Sequence, residues 1–236
     1  MGKLELQGIT KSYKNVKALS DFSYTFVDGI YGILGPNGAG KSTLMNVITQ
    51  NLKKDKGEIF YNEKNIKDFK REYIGKIGYM PQQQSVYKNL SLIRFMYYMA
   101  SLKGLDAKNA SEQIEKHLKD VELWDVRNRL LGGFSGGMKQ RALMAQALLG
   151  NPDIVILDEP TAGLDPMQRI NIRNIISKLG EDRIVLVSTH IVSDIEKLAD
   201  KILIMNKGQI ILERDMDDEA GEDLEQVYMR LFGDEI

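Results

Sequence analysis

A chain of 236 residues, 43% hydrophobic and 28% charged, has the composition of a globular protein with room for one large α/β domain or two small ones. It has no cysteine, which excludes disulfides, cysteine zinc sites and thiol catalysis, and two histidines, His117 and His190, are too few for a histidine-rich metal site. A formal net charge of −1 argues against nucleic acid as a partner. The longest apolar run, Phe95 to Ala100, falls far short of the roughly 20 residues of a membrane-spanning helix. No apolar stretch of signal-peptide length opens the chain, so a cytoplasmic location is expected.

In chain order, Leu4 and Leu6, then Phe22, Tyr24 and Phe26, alternate with polar residues as half-buried antiparallel strands do. Ile30 to Leu34 is a short apolar strand that runs into a glycine loop. Leu44, Val47 and Ile48 then fall at helical spacing. Gly57 to Tyr61 and Lys76 to Met80 read as strands. The lysines between 53 and 76 are interleaved with Asp55, Glu58, Glu63, Asp68 and Glu72, which predicts a solvated surface. From about Ser91 to Gly150 the pattern is helical. One stripe is Ala110, Ile114, Leu118 and Val121; a second is Met138, Ala142, Ala145 and Leu149. His117 falls on the first of these helices, in a polar stretch, and is given no role. Apolar strands Ile154–Leu157, Ile184–Val187 and Ile202–Met205 then alternate with helices, one opened by Asp165-Pro166. That alternation predicts a parallel sheet covered on both faces. The acidic segment from Glu213 to Glu225 reads as solvated.

Three constellations carry chemistry. Gly35-Pro36-Asn37-Gly38-Ala39-Gly40-Lys41-Ser42-Thr43 fits Gly-x-x-x-x-Gly-Lys-Ser between a strand and a helix. Its glycines let backbone N–H groups face a phosphate chain at the positive end of a helix. Lys41 places a charge on the β and γ phosphates, and the Ser42 hydroxyl suits Mg²⁺, a hard cation. The second is Asp158-Glu159 at the end of an apolar strand, where ligands bind in open α/β sheets. Asp158 is placed to hold the metal's hydration shell, and Glu159 to orient or deprotonate a water. The third is Phe134-Ser135-Gly136-Gly137-Met138 before a helix. By itself it is either a second anion site or an ordinary capped helix.

Together these motifs, in this order, resemble the nucleotide-binding subunit of an ATP-binding cassette (ABC) transporter, from Leu4 to about Leu231. The resemblance implies a P-loop NTPase core with a parallel sheet, an N-terminal antiparallel β-subdomain and a helical subdomain inserted at about 85–150, all in one domain. It implies ATP and Mg²⁺ as ligands and a head-to-tail dimer, homodimeric or heterodimeric. In that dimer each ATP lies between one subunit's phosphate loop and the other's Ser135-Gly136-Gly137. It further implies a separate integral membrane permease, which would hold this chain on the inner face of the cell membrane.

Residue by residue, Tyr13 matches the aromatic that stacks on adenine, with an edge-strand aromatic as the alternative. Gln82 matches the glutamine that touches Mg²⁺ and relays to the permease; Gln83 and Gln84 leave a slip of one residue open. Ala162 to Asp165 match the loop that crosses the dimer interface. His190 matches the histidine on the γ-phosphate, with a helix-capping role as the alternative. Part of Phe95–Met99 is either core or a docking surface, and Val86, Tyr87 and Leu90 either receive a permease helix or are buried. Phe134 and Met138 depart from the family's usual Leu and Gln. The Met variant and the ending from Asp223 to Tyr228 resemble subunits of ABC-2 exporters. The competing readings are a non-transport ATPase of the same family and a nucleotide sensor without turnover.

Overall fold

The computed structural model describes residues 2–69, 72–82, 87–216 and 222–233. β1 (Lys3–Tyr13) and β2 (Val16–Val27) open the chain; β3 (Gly29–Leu34) leads through the glycine loop into α1 (Lys41–Ile48). β4 (Lys56–Tyr61), β5 (Lys64–Asn65), a short α2 (Glu72–Gly75) and β6 (Ile77–Met80) follow. Next come α3 (Leu92–Leu102), α4 (Ala107–Asp120) and α5 (Gly136–Leu148). The last third holds β7 (Ile154–Asp158), α6 (Pro166–Ile176), β8 (Ile184–Thr189), α7 (Val192–Ile195), β9 (Lys201–Asn206), β10 (Gln209–Asp215) and α8 (Leu224–Phe232).

The strands form an antiparallel sheet in the order β2-β1-β4-β5 and a larger sheet in the order β10-β9-β3-β8-β7-β6. In the larger sheet β9, β3, β8, β7 and β6 run parallel, and only β10 is antiparallel. Alternation along the parallel strands divides the core in two. Tyr31, Ile33, Ile154, Ile156, Ile184, Leu186 and Leu203 point to one face, where α1 and the antiparallel sheet pack. Ile30, Leu34, Val155, Leu157, Val185, Val187 and Ile202 point to the other, against the helices. With both faces covered, such strands read as near-continuous apolar runs, as Ile154–Leu157 and Ile184–Val187 do, and β7 and β8 are buried at every position, including Asp158, Ser188 and Thr189 at their site ends.

One expectation needs correction and another is incomplete. Met138, Ala142, Ala145 and Leu149 do lie in or against the core, but burial on α5 extends past that stripe: Ala142 through Leu148 are all buried, because this helix lies between the sheet and the other helices. Helical periodicity has no solvent side to reveal there. The acidic segment is solvated as expected, its described acidic residues all being exposed, and it adds surface ion pairs. Glu213 and Asp215 lie on β10 and both pair with Lys201, at 3.0 and 2.9 Å, and Glu213 also accepts from the Tyr24 hydroxyl at 2.7 Å. Asp223 caps α8, while residues 217–221 lie outside the described residues. Finally, His117 is buried, only 4% exposed, although its sequence neighbours are polar.

Burial holds the His117 imidazole at a pKa of about 4; Lys116 and Arg183 push the same way and Asp120 opposes them. In the unfolded chain the ring titrates near 6.5. The folded state therefore keeps a neutral ring where the unfolded state takes up a proton, and stability falls as pH drops from 6.5 towards 4. The expected loss over that interval is roughly 3 kcal/mol. Urea denaturation at pH 7 and pH 4.5 measures it, and His117→Gln should flatten the dependence.

Candidate functional site

The larger sheet's register brings the site together. Leu34 lies opposite Thr189 and Asp158 opposite Ser188, so β3, β7 and β8 end along one edge. The glycine loop, Asp158-Glu159 and His190 all leave from that edge. Two loop glycines are required by packing. A Cβ on Gly35 would lie 2.4 Å from the Met205 carbonyl oxygen, and one on Gly40 would lie 2.3 Å from that of Ala18. Gly40 is also left-handed (φ 106) as it caps α1.

Lys41 begins α1 and is 7% exposed. Its ammonium donates to the Gly35 carbonyl at 2.6 Å and to the Pro36 carbonyl at 3.3 Å. Burial lowers its pKa, and the nearby carboxylates of Glu159 and Asp158 counter that shift. The loop thus curls round its own lysine and holds the charge within it. Ser42 follows, and its hydroxyl donates to Asp158 Oδ1 at 3.3 Å. Ser188 Oγ donates to the same oxygen. Asp158 is buried, yet no cation lies within ion-pair distance among the described residues. A buried carboxylate satisfied by neutral hydroxyls alone is costly unless a cation arrives. The donor set, one carboxylate and one hydroxyl, suits a hard cation that keeps most of its water.

Glu159 is buried and left-handed (φ 51). Its N–H donates to the Ser188 carbonyl at 3.0 Å and meets Ser188 Oγ at 3.2 Å. Both carboxylate oxygens lie 3.0 Å from His190 Nδ1. His190 makes no capping bond to α7, so its contact is with the acid rather than with a helix end. Sequence reasoning does not single out Ser188, which orients Asp158 and Glu159 at once. It lies within an apolar strand, and only the cross-strand register reveals its neighbours.

Tyr13, 49% exposed, lines a cavity of about 290 Å³ with Val16, the loop from Pro36 to Thr43, Gln82 and Glu159. Gln82 also lines a larger cavity, of about 780 Å³, together with Ser42, Asp158, Met99 of α3 and Gln146 of α5. Gln83 and Gln84 lie outside the described residues. Ser135, Gly136 and Gly137 line neither cavity. They stand at the start of α5, where Ser135 Oγ accepts from the Met138 N–H at 3.3 Å. A Cβ on Gly137 would lie 2.3 Å from Gln168 Oε1, and one on Gly136 would lie 3.9 Å from Leu164. The start of α5 is therefore packed against Gln168 of α6 and, more loosely, against Leu164 of the Ala162–Asp165 loop.

The chain matches the ABC transporter family over residues 19–162. It is 35% identical over 227 residues to the lantibiotic transport ATP-binding protein SrtF of Streptococcus pyogenes, covering 95% of each chain. It is 36% identical over 208 residues to the bacitracin transport ATP-binding protein BcrA of Bacillus licheniformis, covering 87% of this chain and 67% of BcrA. Its fold matches, with a TM-score of 0.81 at 27% identity, the dimeric post-hydrolysis state of the ATP-binding cassette MJ0796 bound to ADP and Pi, covering 90% of this chain and 98% of that one.

Proposed function

This chain belongs to the ABC transporter family as an ATP-binding subunit and ATPase, and from that premise we propose that it hydrolyses Mg-ATP in a head-to-tail dimer to drive export through a separate membrane permease. The single observation that carries the dimer is the separation of the two anion-binding elements. Tyr13, Lys41, Ser42, Asp158 and Glu159 line the two cavities at the phosphate-loop edge and His190 is bonded to Glu159, whereas Ser135-Gly136-Gly137 line neither cavity and their one side-chain bond is the Ser135 cap. A second copy supplies the missing half. The export assignment rests on the likeness to SrtF and BcrA.

In this reading Tyr13 stacks on adenine, and the backbone from Gly35 to Thr43 cradles the phosphates. Ser42 and Asp158, with Gln82, would hold Mg²⁺, which when bound would neutralise charge on the phosphates. Glu159 accepts the proton of the attacking water, and His190 fixes the carboxylate that does so. Ser135→Arg tests the arrangement. Its side chain is exposed and its one bond is the cap, so substitution costs about 1 kcal/mol of stability. In the presence of ATP the variant should remain monomeric by size-exclusion chromatography while binding ATP as wild type does. A dimer that survives this arginine excludes the head-to-tail arrangement.

The permease should engage the groove between the core and the helices α3–α5, the proposed inserted subdomain of about 85–150. The cavity shared by Gln82, Met99 and Gln146 supports this. Tyr87 is 51% exposed and meets Tyr98 edge-on at 5.6 Å, whereas Leu90 is half-buried against the core; Val86 lies outside the described residues. Phe95 and Met96 are fully buried, which leaves Tyr97 and Tyr98 as the exposed part of that cluster. No helix among the described residues is long and apolar enough to cross a membrane. Attachment to the inner face would then run through the permease. Tyr87→Asp puts a charge where an apolar contact is needed. It should shift the co-expressed chain from the membrane to the soluble fraction with ATP affinity unchanged. Unfolding of this variant would instead assign Tyr87 to the core.

A further inference from the structure

Beyond Glu159 and His190 the chain runs out in two short arms that meet again. From Glu159 the first arm is a run of turns. The Glu159 carbonyl accepts from the Ala162 N–H at 3.2 Å, and the Thr161 carbonyl accepts from the Leu164 N–H at 3.3 Å. Asp165 then caps α6 through the Gln168 N–H. From His190 the second arm is α7, which carries Asp194. The near ends of the arms meet where His190 Nδ1 lies 3.0 Å from both Glu159 oxygens.

Arg169 of α6 joins the far ends. Its Nε donates to the Leu164 carbonyl at 3.1 Å, and its Nη1 lies 3.8 Å from Asp194 Oδ2. Asp194 is 6% exposed, and that oxygen is buried with no hydrogen-bond partner. Among the described residues Arg169 is the one cation within ion-pair distance of it. A buried carboxylate with a single cation holds that cation firmly, because losing it leaves an uncompensated charge. The guanidinium suits a double hold of this kind, since its donors are fixed in one plane, whereas a lysine is a point charge on a flexible stem. One turn further along the same face of α6, Arg173 Nη1 donates to the Ser193 carbonyl at 2.8 Å. Arg173 thus steadies α7, and Arg169 ties α7 to the Ala162–Asp165 loop. Neither Arg169 nor Asp194 lines the two cavities at the phosphate-loop edge, so any effect on the reaction must pass through other residues.

We infer that Arg169 is a positioning residue for ATP hydrolysis: by holding Leu164 and Asp194 together it fixes the Glu159 carboxylate against His190. The inference rests on the proposed role of Glu159 as the group that takes the proton from water.

The test is steady-state ATP hydrolysis by the full chain. Arg169→Gln removes the charge that faces Asp194. It should lower kcat by about 10- to 100-fold, the scale of loss expected when reacting groups are misplaced by about 1 Å. ATP affinity, from fluorescent-nucleotide titration, should stay within about twofold of wild type, which is the signature of an interaction that matters in the transition state alone. Asp194→Asn should show the same split. The double variant should lose no more rate than the worse single one, because both break one link. It also leaves no unpaired buried charge, so it carries the test if Arg169→Gln does not fold. NMR locates the effect. The sequence holds two histidines, and His190→Gln identifies the His190 imidazole signals by their loss. Those signals should shift in Arg169→Gln, although the bonds of Arg169 go to Leu164 and Asp194. Wild-type kcat in folded Arg169→Gln, unmoved His190 signals, or additive losses in the double variant would overturn the inference. So would an ATP affinity that falls as far as the rate. A slow Glu159→Gln beside an unaltered Arg169→Gln removes this inference alone. A Glu159→Gln variant with near-wild-type rate removes the reading of Glu159 and this inference with it.

Discussion

Replacing Lys41 with alanine should lower ATP affinity by about two to three orders of magnitude and bring turnover below detection. The ammonium is buried at the start of α1 and held at 2.6 Å from the Gly35 carbonyl, which in the proposed reading puts its charge beside the β and γ phosphates. A charge-assisted hydrogen bond contributes about 1.5–3 kcal/mol, and Lys41 is placed to make more than one to the phosphates. Fold is not at stake. Without nucleotide the buried ammonium bonds to carbonyl groups of its own loop, and its pKa is already lowered by desolvation. Thermal denaturation should therefore show a folded variant with a melting temperature close to that of wild type. Fluorescent-nucleotide titration and phosphate release then measure the loss. Near-wild-type hydrolysis by this variant would remove the glycine loop as the ATP site.

Glu159→Gln should behave in the opposite way towards binding. The amide keeps the shape of the side chain and tolerates the same left-handed backbone, but it cannot accept a proton from water. Loss of a general base costs about 100- to 10,000-fold in rate, so hydrolysis should nearly stop while ATP affinity persists. The half-site argument adds a second readout. With both halves of each site present and no turnover, a dimer holding two ATP molecules should accumulate, and size-exclusion chromatography with ATP should resolve it. His190 sharpens the expectation, because its Nδ1 is 3.0 Å from both Glu159 oxygens and the amide retains one acceptor for it. Retention of more than a tenth of the wild-type rate would assign the base to another group. A variant that stays monomeric in saturating ATP would count against the shared site.

Much of this molecule can be read along the chain, for a physical reason in each case. The strand from Ile30 to Leu34 and the loop from Gly35 to Thr43 are local: apolar character, glycines and a helix start all lie within fifteen residues. The same holds for Ile154–Leu157 followed by Asp158-Glu159, and for Asp165-Pro166, whose carboxylate accepts from the Gln168 N–H at 2.9 Å as the cap of α6. Parallel strands covered on both faces read as near-continuous apolar runs, and that requirement is written directly into Ile154–Leu157 of β7 and Ile184–Val187 of β8.

Tertiary structure alone decided the rest. The edge strand β10 alternates between half-buried and exposed residues, and the ion pairs that its exposed Glu213 and Asp215 make with Lys201 depend on the pairing of β9 with β10. Packing on all sides hides the periodicity of α5, because no face remains polar to mark the others as apolar. His117 sits among charged neighbours in sequence, and only the approach of Arg183 and Lys178 from the far side of α6 makes it a buried, unpartnered ring. Ser188 becomes a site residue through a register that sets it opposite Asp158. Sequence by itself determined which residues are the candidates for chemistry, since the phosphate loop and the strand-end carboxylates are each built from consecutive residues. The pairing of those residues across strands, and the absence of Ser135-Gly136-Gly137 from the cavities they line, depend on contacts between segments far apart in the chain, which no local pattern encodes.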